Sequence, residues 1–179
     1  MSMATAQYDG GSFASSDEDR MIALLRDVRD AAAPPSVEEI ARVLATTLSF
    51  RLRNAAALAL ADLGGREGSE WIGAVLGRPD VAPQSGTLLF ALDELGGRLP
   101  FESLVNIVRH GSFEGRSEAL NLLDAGRVAS ADPAAHRRAL EDLASIAVGA
   151  DHAAAEVARE ALAILSAASG GPDASEHRR

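Results

Sequence analysis

The chain has no cysteine and no lysine, few aromatic residues and no long apolar run. Without cysteine there is no disulfide framework, no thiolate metal site and no cysteine nucleophile. Without lysine every basic residue is arginine, which together with the heavy use of alanine points to a GC-rich bacterial coding sequence. No apolar stretch approaches the roughly 18 residues of a membrane helix. Residues 1–20, MSMATAQYDGGSFASSDEDR, lack the basic and apolar regions of a signal peptide. The expectation is a soluble, cytoplasmic protein with no membrane partner. Aromatic residues make up only 4% of the chain and β-branched strand formers are sparse, and no window alternates long enough for a strand.

What is present is alanine, leucine and acid. Alanine is the best helix former and allows close approach of helices, so the composition predicts an all-α chain. The 26 acidic residues outweigh the 17 basic ones for a net charge of −9, and such a chain gains little from counterion release on a polyphosphate. Nucleic acid is therefore not an expected partner. At 179 residues the chain is long enough for one domain with its own core.

Residues 1–14 are small and polar and read as a disordered segment, 15–168 as a single helical domain, and 169–179 as a flexible tail. The first helix opens near Ser15 or Ser16, carries Ile22, Leu25 and Val28 with Met21 and Leu24 beside them, and stops by Pro34-Pro35. Ser36 with Glu39 fits a capping box opening a second helix with Val37, Ile40, Ala41 and Leu44 on its apolar face. From there the pattern Ala-Leu-x-x-Leu recurs at 59–63, 91–95, 119–123 and 161–165, at offsets of 32 (91−59), 28 (119−91) and 42 (161−119). The last offset is stretched by an insertion around 126–133 that reads either as a loop or as a displaced binding element. Shorter apolar segments, EWIGAVLG, FESLVNIVRH and HRRALEDLASIAVG, lie between. A two-helix unit recurring about every 30 residues is the signature of an α-solenoid of antiparallel helix pairs, with about nine helices here.

RLRNAAALALADLGG (51–65) resembles the first helix of a HEAT-like repeat, of the short kind also found in phycobilisome-lyase-type proteins. The matching residues are Leu52, Arg53, Ala55, Ala56, Leu60, Leu63 and Gly64, and the resemblance extends over about 36–168. It implies a HEAT-like fold, on which the expected function is a non-catalytic protein–protein interaction module or adaptor; the acidic charge would also suit an immunity or antitoxin-type protein masking a basic toxin. The alternative that the resemblance implies is an enzyme or enzyme accessory of the HEAT-like lyase group. Fold alone does not choose between them.

The octets ALADLGGR (59–66) and ALDELGGR (91–98) invite an anion-cradle reading. Glycine loops that hold anions precede a helix, where N–H groups are free. Both pairs here follow one, so the glycines read as helix stops, with the arginine near the negative helix end, while GREGSE (65–70), which runs into the next helix, leaves a residual anion site open. The four histidines, His110, His136, His152 and His177, have no partner at i+3 or i+4, and no metal site is expected. Asp93-Glu94 and Glu141-Asp142 are adjacent residues that point about 100° apart in a helix, so they read as solvated faces rather than acid/base dyads. No serine elbow, Walker loop or dinucleotide fingerprint occurs, so no catalytic residue, metal or cofactor is assigned.

Another protein remains as the expected partner. Aligning the second helices puts Ile40, Ile72, Leu104 and Leu143 in one apolar column and Leu44, Leu76, Val108 and Ala147 in another. The preceding column, Glu39, Trp71, Ser103 and Asp142, should then face solvent, with Trp71 as its exception to polarity. Tryptophan and arginine are over-represented among binding hot spots. The candidate partner-binding residues are Glu39, Arg42, Trp71, Arg78, Asn106, Arg109 and His110, whose arginines suit a carboxylate-bearing partner.

Overall fold

A computed structural model describes residues 15–130 and 132–169. The segments expected to be disordered at 1–14 and flexible from 170 onward lie outside the described residues, and Ser169 closes the last helix. The described chain is all-helical, with nine α-helices and almost no strand. In order these are α1 (Ser15–Arg26), α2 (Val37–Thr46), α3 (Phe50–Leu63), α4 (Arg66–Leu76), α5 (Gly86–Glu94), α6 (Phe101–His110), α7 (Phe113–Asp124), α8 (Pro133–Ala147) and α9 (His152–Ser169). A 3-10 turn (Ala82–Gln84) precedes α5.

Helix starts follow local chemistry. Ser36 caps α2 by accepting the Glu39 N–H while the Glu39 carboxylate accepts the Ser36 N–H, so the capping box is formed. Ser49, Ser112 and Asp132 accept the N3 backbone N–H of α3, α7 and α8. α1 ends at Arg26, ahead of Pro34-Pro35, because residues 27–30 leave the helix in a turn.

The odd-numbered helices pack in sequence, α1 on α3, α3 on α5, α5 on α7 and α7 on α9. In the other row α2 packs on α4 and α6 on α8. β1 (Leu99–Pro100) touches α4 and the 3-10 turn packs on α6, bridging the middle of that row. Between the rows lies one core containing Leu60, Leu92, Ile40, Ile72, Leu104 and Leu143, all fully or nearly fully buried. Many interhelical contacts are made by alanine (Ala55, Ala56, Ala59, Ala91, Ala119, Ala158), which lets neighbouring helices close in without large side chains.

The segment around 126–133 is not a free loop at residues 128–129. β2 (Val128–Ala129) pairs in parallel with β1, Leu99 opposite Val128 and Pro100 opposite Ala129. Two-residue strands are too short to announce themselves by alternation, so the sequence carried no strand signal there.

Candidate functional site

The two Gly-Gly-Arg steps differ: the second follows α5 and closes it, whereas in the first Gly64 ends α3 at φ +74° and Gly65, at φ +101°, is the N-cap that opens α4. Gly96 follows α5 at φ +65°, and Gly126 follows α7 at φ +68°. At each end the next residue donates its N–H back across the turn, Gly97 to Leu92 and Arg127 to Leu122, both at 2.9 Å or less. These are Schellman closures, in which glycine takes the left-handed position and consumes orphan carbonyls. Arg66 departs from the expectation of an arginine at a negative helix pole: it is the first residue of α4, and its Nε meets Glu70 Oε1 one turn on, at 2.8 Å. With only Gly64 and Gly65 between the helices, the chain reverses too quickly to leave Arg66 behind.

Arginine serves the helix ends in another way. Arg78 Nη1 donates to the Ala45 carbonyl and Arg53 Nη2 to Thr47, both at the end of α2. Arg29 donates to Asp62 at the end of α3, Arg127 to Asp93 of α5, Arg116 to Arg109 of α6, and Arg159 to Ala147 of α8. Each arginine reaches from a different element, so it adds a donor to a carbonyl at the negative helix end and ties that end to a neighbouring segment. A guanidinium fork can hold a carbonyl and a carboxylate at once, and Arg127 does so with the Asp93 backbone and side chain at 2.7 Å each.

Two of these arginines are nearly enclosed. Arg53 is 4% exposed and Arg116 12%, and the Nε of each is buried without a partner. Both stand in a recurring Ser-Phe-x-x-Arg, at 49–53 and 112–116: the serine caps, the phenylalanine is exposed and the arginine folds back onto the preceding helix end. Each also faces an aspartate, Asp80 at 3.9 Å and Asp151 at 3.5 Å. Burial first, and the nearby Arg78 charge second, lower the pKa of Arg53. The hydrogen bond from Arg78 is the main cause holding the Asp80 carboxyl below its usual range, and the backbone N–H of Ala154 does the same for Asp151.

The seven candidate partner-binding residues divide by what their side chains already hold. Glu39 is exposed but engaged in the capping box. Arg78 is half-buried and spends three donors on Ala45 and, in a two-point contact, on Asp80. Asn106 is half-buried, with its Nδ2 enclosed and unpartnered. Arg109 is exposed and pairs with Asp142 on α8 at 3.2 Å. Arg42 and His110 are exposed, and neither side chain forms an ion pair or hydrogen bond among the described residues. Trp71 is 40% exposed on α4, beside a fully buried Ile72.

One member of the expected solvent column is inside. Glu39, Trp71 and Asp142 are exposed, but Ser103 is 2% exposed and its Oγ has no partner. Gly77, at the end of α4, stands over it: a Cβ there would lie 3.8 Å from the Ser103 Oγ. A column drawn from helix periodicity treats every inter-helix gap alike, and the α4–α6 gap is closed by the α4 terminus.

The other row carries apolar surface that second-helix reasoning passed over. Leu58 on α3 and Phe90 on α5 are both exposed, Phe90 at 48%. They occupy equivalent places at the 32-residue offset (90−58), and the 28-residue offset then leads to Glu118 (118−90) on α7. That register was present in the sequence, and extending it to the first helices would have marked this column.

Among the described residues no group of three or more His, Cys, Asp or Glu is placed to hold a metal ion. No helix among them is long and apolar enough to cross a membrane. Comparison with protein-family models, curated proteins and solved structures gave no significant match. Function must be read from the surfaces themselves.

Proposed function

We propose that the protein is a non-catalytic protein–protein interaction module, built as a HEAT-like α-solenoid, whose α2–α4–α6–α8 row binds another protein around Trp71. The packing of alternate helices on one another supports the solenoid reading. The observation that carries the binding reading is Trp71 itself. A tryptophan that is nearly half exposed in the middle of a helix offers a large apolar surface with an N–H donor, the combination most enriched at interface hot spots. Arg42 and His110, exposed and uncommitted in the same row, add donors for a carboxylate-bearing partner.

Trp71 is the only tryptophan, so its emission reports on this surface alone. Acrylamide should quench it in the free protein, and the partner should shift and protect it. Affinity capture from the native host with wild type and Trp71→Ala identifies that partner as the protein lost from the variant. The variant should keep a cooperative melt, since the substitution removes a half-exposed side chain. Loss of that melt, or capture of the same proteins by both, would overturn the reading.

A further inference from the structure

The N-terminal turns of α5 and α7 meet almost backbone to backbone. A Cβ on Gly115 would sit 2.5 Å from the Ser85 Oγ, and one on Gly86 would lie 3.5 Å from the Glu114 Cβ. Because position 86 has no side chain, the surface beside this contact stays open as a shallow groove of about 260 Å³ lined by Gly86, Thr87, Phe90, Glu114 and Glu118. Phe90, half exposed, is its apolar wall.

The opposite wall is anionic and uncompensated. Glu114 and Glu118 are one helical turn apart on α7, and neither forms an ion pair among the described residues. Glu118 accepts only a weak 3.4 Å bond from Asn121. Like charges at i and i+4 disfavour the helix by about 0.2–0.5 kcal/mol. Glu94, one turn beyond Phe90 on α5, is likewise exposed and without an ion pair among the described residues. The contrast lies in the same molecule: Asp62, Asp80, Asp93, Asp142 and Asp151 each meet an arginine. The carboxylates around this groove, Glu114 and Glu94 exposed and Glu118 half-buried, have no cation among the described residues and stand next to an aromatic side chain.

We propose that the α5–α7 groove is a docking site for a basic, apolar-bearing segment of a partner protein. An arginine or lysine of that segment lies between Glu114 and Glu118, and a neighbouring aliphatic or aromatic side chain covers Phe90. The cation is held by two carboxylates and can also approach the ring face of Phe90, an arrangement that favours arginine. This surface belongs to the odd-numbered row and is independent of Trp71.

The test is a fluorescence-polarisation titration with a short labelled peptide of alternating arginine and leucine. Two controls replace its arginines by glutamate or its leucines by serine. The buffer is of physiological ionic strength, where a Debye length of about 8 Å suppresses distant charge effects. Only the arginine–leucine peptide should bind well. Phe90→Ala and the double variant Glu114→Gln/Glu118→Gln should each weaken it about tenfold, the scale of one hot-spot contact. Gly86→Leu, whose Cβ meets only ordinary contacts, should fill the groove and abolish binding in a protein with unchanged circular dichroism and melt. Trp71→Ala should bind normally, which separates this site from the one proposed above. Glu67→Gln/Glu102→Gln removes equal charge from the other row and should leave binding within about twofold. Equal loss in that control, binding of the serine or glutamate peptide as tight as the arginine–leucine one, or no binding in any arm would overturn the proposal.

Discussion

Gly96 and Gly97 stand side by side behind α5, and a methyl group added to each would meet a different obstacle. At Gly96 there is open space, but φ is +65°, so Gly96→Ala should cost about 1–2 kcal/mol of backbone strain. At Gly97 the backbone is ordinary, but a Cβ would fall 2.4 Å from the Leu92 Cδ1 and 3.0 Å from the Ser69 Cβ. Leu92 is fully buried and cannot swing into solvent, so Gly97→Ala should cost about 1–3 kcal/mol through overpacking. Urea melts of asparagine variants separate the two causes. Asparagine tolerates the left-handed region, so Gly96→Asn should recover most of the loss, whereas Gly97→Asn should be worse than Gly97→Ala. That a glycine pair stops this helix was legible in the sequence. That the second glycine makes room for a buried leucine was not, because the contact runs from the turn to a side chain one helical turn back and to α4.

At the scale of the helix, caps and arginine ties decide where elements stop and how they are held to their neighbours. Ser112 accepts the Gly115 N–H at 3.1 Å, and Ser112→Ala should cost about 1 kcal/mol in a thermal or urea melt. Arg116, four residues on, bonds the Arg109 carbonyl at the end of α6 from a largely buried position. Arg116→Ala should cost about 1.5–3 kcal/mol, the range for a hydrogen bond made by a charged group. The two losses should not add, since both act on the α6–α7 joint. The cap at Ser36 was readable from its spacing to Glu39, whereas Ser49, Ser112 and Asp132, with no glutamate at the third helical position, were not singled out. The arginine ties were not: Arg29 and Asp62, or Arg127 and Asp93, lie more than thirty positions apart in sequence, and only packing brings the fork to the carbonyl.

For the whole molecule, acid should loosen many joints together. Asp80, Asp132 and Asp151 all have lowered pKa values, Asp80 chiefly through Arg78, Asp132 through the Ala135 N–H and Asp151 through the Ala154 N–H. A carboxylate whose folded pKa lies below its unfolded one stabilises the fold at pH above the unfolded value, about 3.9 for aspartate. That contribution is lost as pH falls from there through the folded value. Stability measured against pH should therefore be flat near neutrality and drop below about pH 5. The triple variant Asp80→Asn/Asp132→Asn/Asp151→Asn, whose amides can still cap at 132 and 151 and accept from Arg78 at 80, should show a shallower drop. An equally steep drop would locate the acid sensitivity in other carboxylates.

The sequence by itself determined the helical class, the recurrence of its units, the capping box at Ser36 and the burial of the Ile40, Ile72, Leu104 and Leu143 column. Each of these follows from propensity or from periodicity within one helix, and so is written in neighbouring residues. It also singled out Trp71, by rarity and register. Only the tertiary structure decided that Ser103 is buried beneath Gly77, that Arg78 is committed to Ala45 and Asp80, and that Leu99–Pro100 pairs with Val128–Ala129. It alone opened a groove between Phe90 and the Glu114–Glu118 pair. Those outcomes depend on how closely two helix ends approach in space, a distance set by side-chain volumes on both partners and written in neither segment alone.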